Sequence, residues 1–298
     1  MESVRSRIKG MCTGMIGGAN LGATYARTLR RSVDLQSILS SKTPIIRATN
    51  CSDALRQITY NVVGGKFDPD NFPRDAAGVQ YKWDGQHSLQ LCALRMPYPS
   101  DEGRVVLQTL IMSAFADLAQ VHRNAINAAF ISCCLPRTIS HAITACTVLH
   151  KLLYGKDITR DQILADSVNV VTAADVRNYY GVRSMTRNRT KCLKYPTHSE
   201  VRNALTGLSY MGCLLGPQNM APSWDTCRLS YVPPILHHLR DIQGQPEINY
   251  AMFGASCGAR YGEQIAESEF GRYLVSPDRT LINMCVEWLI AMQSTRMV

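Results

Sequence analysis

Three groups of side chains in this chain have types and spacings that could do chemistry. The largest is basic: Arg177, Arg183, Arg187, Arg189, Lys191 and Lys194, with Tyr179, Tyr180 and Tyr195 beside them. Guanidinium and ammonium groups neutralise phosphates and aromatic rings stack bases, so this loop could bind nucleic acid; the plainer reading is a solvated loop or a docking surface for an acidic protein neighbour. A second group, His141, Cys146 and His150, invites a zinc reading. On a helix, however, positions 146 and 150 share a face while 141 points about 140° away, so packing is expected there rather than a metal. The third is the vicinal pair Cys133 and Cys134, which precedes Leu135 and Pro136 and reads as a helix end; no activating base lies near it in sequence. His237 and His238 diverge and suit a helix C-terminus beside Arg240. No G-x-S-x-G elbow and no Ser/His or Cys/His pairing stands out.

The elements that must carry these side chains read as helices. Of 298 residues 46% are apolar, enough for a large core, which excludes disorder as the main state. Helical periodicity predicts segments near 3–31, 52–63, 86–95, 102–132, 138–154, 160–168, 173–180, 198–215, 226–240, 247–264 and 278–293; few runs alternate as strands do. Thr159 with Gln162 and Thr197 with Glu200 look like capping boxes, and Ser276 with Pro277 like an N-cap followed by N1. The Pro/Gly-rich breaks at 64–85, 96–103, 181–197 and 216–224 are each followed by another helical pattern, so a single all-α domain over 1–298 is expected.

Charge and cysteine usage bound the setting. Lys and Arg number 32 against 23 acids, a formal charge of +9 that suits polyanionic partners without requiring them. The eleven cysteines follow no C-x-x-C or zinc-finger spacing and lie mostly in apolar helical stretches, as reduced buried thiols do. With no hydrophobic run in MESVRSRIKG, and only a glycine-rich stretch at 10–26, neither a signal peptide nor a membrane span is expected, and the protein reads as intracellular.

Small residues fall at helical spacing in two places. Gly10, Gly14, Gly18 and Gly22 drift only about 40° per step and form one stripe without side chains; Gly254, Gly258 and Gly262 repeat the device. Each glycine in a helix costs up to about 1 kcal/mol, so such stripes persist where a second backbone must come close. Two central helices packed tightly together are expected. Neither run matches a P-loop or dinucleotide fingerprint.

The first stripe, RIKGMCTGMIGGANLGATYA, resembles the opening G-x-x-x-G-x-x-x-G-D-x-x-G-A of the ADP-ribosylglycohydrolase family, all-α enzymes related to the dinitrogenase-reductase-activating glycohydrolases. YKWDGQHSLQLCALRM looks like that family's W-T-D-D-T-x-x-x-L-x-L segment, and ISHAITACTVLHKLLYGKDIT like its helix opening with a T/S-H pair. GQPEINYAMFGASCGARYGE aligns on G-D-T-D-T-x-A-x-x-x-G-A-x-x-G-A-x-Y-G without a gap. The likeness spans roughly residues 7–264 and implies a multi-helix orthogonal bundle. It also implies magnesium-assisted cleavage of a glycosidic bond to ADP-ribose, with a metal pair held by carboxylates.

Those carboxylates are mostly missing. Ala19 and Ala26 stand at the acidic positions of the opening motif; Gly85, Gln86 and His87 replace Asp-Asp-Thr, leaving Asp84 one place early, where a helix start turns it about 100° away. Gly244 is kept, but Gln245 and Glu247 take the two aspartate positions. A hard-cation pair needs several carboxylates, and a lone Glu247 with a softer His87 is a poor Mg²⁺ set. The reading is therefore a catalytically inactive ADP-ribosylglycohydrolase-like protein with no metal and no cofactor. It would serve through protein partners as a structural component of a larger assembly, such as a viral particle or ribonucleoprotein, or as a homo-oligomer. The alternatives are ADP-ribose or nucleotide binding at a vestigial cleft (Asp84, Gly85, Gln86, His87, Gly244, Gln245, Glu247), a residual hydrolase, and nucleic-acid binding through 177–195.

Overall fold

A computed structural model describes residues 3–29, 44–48, 102–130, 136–155, 159–173, 198–207, 209–215, 239 and 245–294. They form an all-α bundle with no strand among the described residues. Its helices are α1 (Val4–Leu29), α2 (Glu102–Thr109), α3 (Leu118–Phe130), α4 (Pro136–Tyr154), α5 (Arg160–Ala173), α6 (His198–Thr206), α7 (Pro246–Tyr261), α8 (Glu263–Phe270) and α9 (Ser276–Ser294). Buried side chains from all nine share one hydrophobic cluster. No helix among the described residues is long and apolar enough to cross a membrane.

The centre of the bundle is the α1–α7 pair, and its geometry follows from the glycines. A Cβ placed on Gly14 would fall on the Gly254 carbonyl, one on Gly18 on the Tyr250 carbonyl, and one on Gly22 on the Pro246 carbonyl; Gly10 faces Gly258 and Gly262. Each step of four along α1 is thus a step of four backwards along α7, so the two run antiparallel with backbone against backbone. The predicted tight pair is what the chain forms. Gly17, on another side of α1, lets the Phe270 carbonyl at the end of α8 come as close, 2.6 Å from where its Cβ would be.

Helix ends are fixed by local chemistry. Ser3 caps α1, its hydroxyl accepting from the Ser6 N–H at 3.1 Å. Arg7 donates from one nitrogen to the carbonyls of Leu152, Leu153 and Gly155 at 3.0–3.3 Å, satisfying the groups that the end of α4 leaves open. The Thr159–Gln162 capping box forms: the Thr159 N–H donates to Gln162 Oε1 at 2.8 Å and the Gln162 N–H to Thr159 Oγ1 at 3.3 Å. Thr197 lies outside the described residues.

Three predicted helices are broken instead of continuous. The 102–132 segment stops at Thr109, continues as a 3₁₀ turn over Leu110–Ala114, and opens at Phe115, whose backbone is extended. Thr109 and Ser113 hydroxyls bond the carbonyls of Val106 and Leu110, and Asp117 caps α3 through the Ala119 N–H at 3.1 Å, so local polar groups stop one helix and start the next. The 198–215 segment ends at Gly207, and a 3₁₀ turn, Gly212–Leu214, follows. The 247–264 segment ends at Gly262, at φ 85, a left-handed backbone that stops α7 and lets α8 begin at once. At α9 the Val275 carbonyl takes the first N–H groups, from Asp278 and Arg279, so Ser276 and Pro277 already sit in the first turn and the predicted cap is one residue late. Segments 52–63, 86–95 and nearly all of 173–180 and 226–240 lie outside the described residues.

A stretch outside the helices, 44–48, is strapped across α1 and α9 by buried polar groups. The Ile46 N–H donates to Thr24 Oγ1 at 2.9 Å and the Ala48 N–H to Asn20 Oδ1 at 2.7 Å. Arg47 donates twice to Asp278 Oδ1, at 2.9 and 2.7 Å, while Asn20 donates to the other carboxylate oxygen at 3.1 Å. Asp278 has no exposed side-chain surface, and Arg47 and Asn20 both answer its charge.

Candidate functional site

Of the predicted cleft residues, Gln245 and Glu247 are described; Asp84, Gly85, Gln86, His87 and Gly244 lie outside, as do all six basic residues Arg177, Arg183, Arg187, Arg189, Lys191 and Lys194. Gln245 is exposed and sits at the N-cap of α7, where its carbonyl accepts from the Ile248 and Asn249 N–H groups at 3.0 and 3.1 Å while its side chain caps nothing. Pro246 follows at the helix start and Glu247 in the first turn, an acidic place that the helix dipole favours. Glu247 is half-buried, with Oε1 out of solvent contact.

This start of α7 faces the end of α1. A Cβ on Gly22 would lie 2.7 Å from the Glu247 Cα. Along the same stretch of α1, Ala19 is fully buried and Ala26 half-buried, both without a group that could ligate or move a proton. Next to Ala19, Asn20 is spent on the strap and on the Tyr273 carbonyl. Among the described residues Glu247 supplies a carboxylate opposite Gly22, Asp278 is engaged by Asn20 and Arg47, and no group of three or more His, Cys, Asp or Glu side chains converges as a metal site would require.

The zinc-like trio separates, as its angular spacing predicts. His141 turns to α2 and the 209–211 turn, Cys146 bonds the Thr109 carbonyl at 3.1 Å, and His150 approaches the Ser113 carbonyl at 3.2 Å. Burial pushes the Cys146 thiol up to about 12 and raises that of Cys213 as well, so both are inert. Cys12, Cys146, Cys213, Cys257 and Cys285 are all buried thiols.

One constellation escaped the sequence reading. His141 Nδ1 lies 2.9 Å from Tyr210 Oη and 3.1 Å from Glu102 Oε1, and Arg137 Nε reaches the same carboxylate oxygen at 3.5 Å. Burial works to raise the Glu102 carboxyl, but the hydrogen bond and charge of His141, with the charge of Arg137, outweigh it and hold it below the usual range. The group ties the start of α2 and the 209–211 turn to α4. Arg137 is one helical turn before His141, but Glu102 and Tyr210 are 39 and 69 positions from it, so no spacing rule could have joined those two.

The described residues define an all-α bundle built on a glycine-paired helix couple. No family model matches the chain, and no curated protein is similar to it at a significant level.

Proposed function

We propose that this chain is a non-catalytic, ADP-ribosylglycohydrolase-like helical scaffold that acts through protein contacts as a component of a larger assembly. The observation that supports the reading is the pairing of a kept frame with a lost charge set: α1 and α7 meet glycine to glycine, while the positions that would carry acids there hold Ala19, Ala26 and Gln245, with Glu247 alone acidic. Clustered carboxylates repel unless cations offset them, so a bundle that holds no ions is more stable without them. Buried thiols suit a reducing compartment.

The test has two readouts. An assay of ADP-ribose release from an ADP-ribosylated protein in Mg²⁺ is expected to stay at the buffer rate; Mg²⁺-dependent release that disappears in Glu247→Gln contradicts the reading. Sizing of the endogenous protein in a native extract is expected to place it far above the 33.1 kDa of one chain. A monomeric position there removes the assembly role.

A further inference from the structure

Two buried histidines bracket the 3₁₀ turn that interrupts α2 and α3. His150, on α4, is 8% exposed; its Nδ1 meets the Ser113 carbonyl and its ring lies against Tyr154, centroids 4.7 Å apart. Tyr154 in turn donates to the Ala114 carbonyl at 2.5 Å. His122, on α3, is 9% exposed and its Nε2 lies 2.9 Å from Thr147 Oγ1 on α4. Together they tie the 110–130 stretch to α4.

The protonation states follow from the partners. A carbonyl only accepts, so His150 carries its hydrogen on Nδ1. Thr147 gives its own hydroxyl hydrogen to the Ile143 carbonyl at 2.8 Å, so it accepts from His122, whose hydrogen is on Nε2. Each imidazole thus donates an N–H to α4 or to the turn, and burial favours its neutral form. A second proton would place a cation where little surrounds it to answer the charge. Asp117, exposed at the end of the turn, favours it; the other histidine opposes it at His122, and Lys151, itself paired with Asp166 at 3.4 Å, opposes it at His150. Arg7 reaches α4 from α1 only at its last carbonyls, and the neighbouring Cys146 thiol stays protonated. Burial is the largest cause at both: it takes His122 down to about 4 and lowers His150, against which the Ser113 and Phe115 carbonyls work at His150.

We propose that His122 and His150 form an acid-operated latch, which holds the 110–122 segment closed against α4 at neutral pH and releases it as the medium acidifies, before the glycine-paired core unfolds. Release would part Phe115 from Trp288, whose rings now meet edge-on at 6.2 Å, and uncover an apolar patch. The sign follows from linkage. Opening returns each histidine to its ordinary value near 6.5, so the open form takes up more protons. Closure is at full strength above that value and is lost as pH falls from about 6.5 towards 4. For His122 alone the opening constant rises about 30-fold between pH 7.5 and pH 5.

Hydrogen exchange followed by mass spectrometry, corrected for the intrinsic pH dependence of exchange, tests this on the full chain. Peptides over 105–121 are expected to lose protection at pH 5 by at least tenfold relative to pH 7.5, while peptides over 4–29 and 246–261 keep theirs. His122→Gln and His150→Asn each supply an N–H in the place of the native one and cannot take a second proton, so each variant is expected to reduce the acid response of 105–121, and the pair to abolish it. Equal loss in the glycine-paired helices, or an unchanged acid response in both single variants, overturns the latch. The singles decide the question if the pair fails to fold at pH 7.5.

Discussion

Replacing Gly14 by alanine is expected to cost about 4 kcal/mol, a large share of the roughly 5–15 kcal/mol that holds an ordinary domain folded. The added methyl would fall on the Gly254 carbonyl, and what it meets is backbone on both sides, so no side chain can swing away. Normal overpacking costs are smaller because flexible neighbours give way, and alanine's better helix propensity returns at most about 1 kcal/mol. Urea denaturation followed by circular dichroism measures the effect, with exposed Gln264→Ala on α8 as the control that leaves stability within about 0.5 kcal/mol. A Gly14→Ala protein as stable as the parent would show that α1 and α7 are not in backbone contact.

Removing the guanidinium from Arg47 is expected to cost about 3 kcal/mol, because Asp278, which has no exposed side-chain surface, then loses its ion pair inside the bundle. The reverse change, Asp278→Ala, is expected to cost less, since Arg47 is 28% exposed and can turn its charge to water. The asymmetry is the informative part. A cycle of Arg47→Ala, Asp278→Ala and the double variant in urea should show the double variant more stable than Arg47→Ala alone. A double variant less stable than both, by the sum of the two losses, would mean that the pair is not coupled and that the strap is held by its backbone bonds to Asn20 and Thr24.

The parts of the fold that could be read from sequence were those written in short-range periodicity. The glycine stripes are legible because a four-residue spacing on one helix has a single physical use, and the Thr159 capping box because its two residues are three apart. Breaks at Phe115, Gly207 and Gly262 were less legible. Apolar periodicity runs straight through the first, and only the Asp117 cap and the hydroxyls of Thr109 and Ser113 mark it. The site was less legible still. Glu102, His141 and Tyr210 meet through tertiary packing of two helices and a turn, and the Arg47–Asp278 pair joins positions 231 apart, so neither has a local signature. By contrast, that Ala19, Ala26 and Gln245 carry no acid needs no structure to be seen, because a functional group's absence is a statement about residue type alone.

Calorimetric titration of Mg²⁺ into the native protein puts the idea of a pocket stripped of its cation ligands to its most direct test. The account predicts no saturable binding tighter than the order of millimolar, and the same flat trace for Glu247→Ala. Two Mg²⁺ ions taken up per chain with micromolar affinity, weakened by Glu247→Ala, would contradict it.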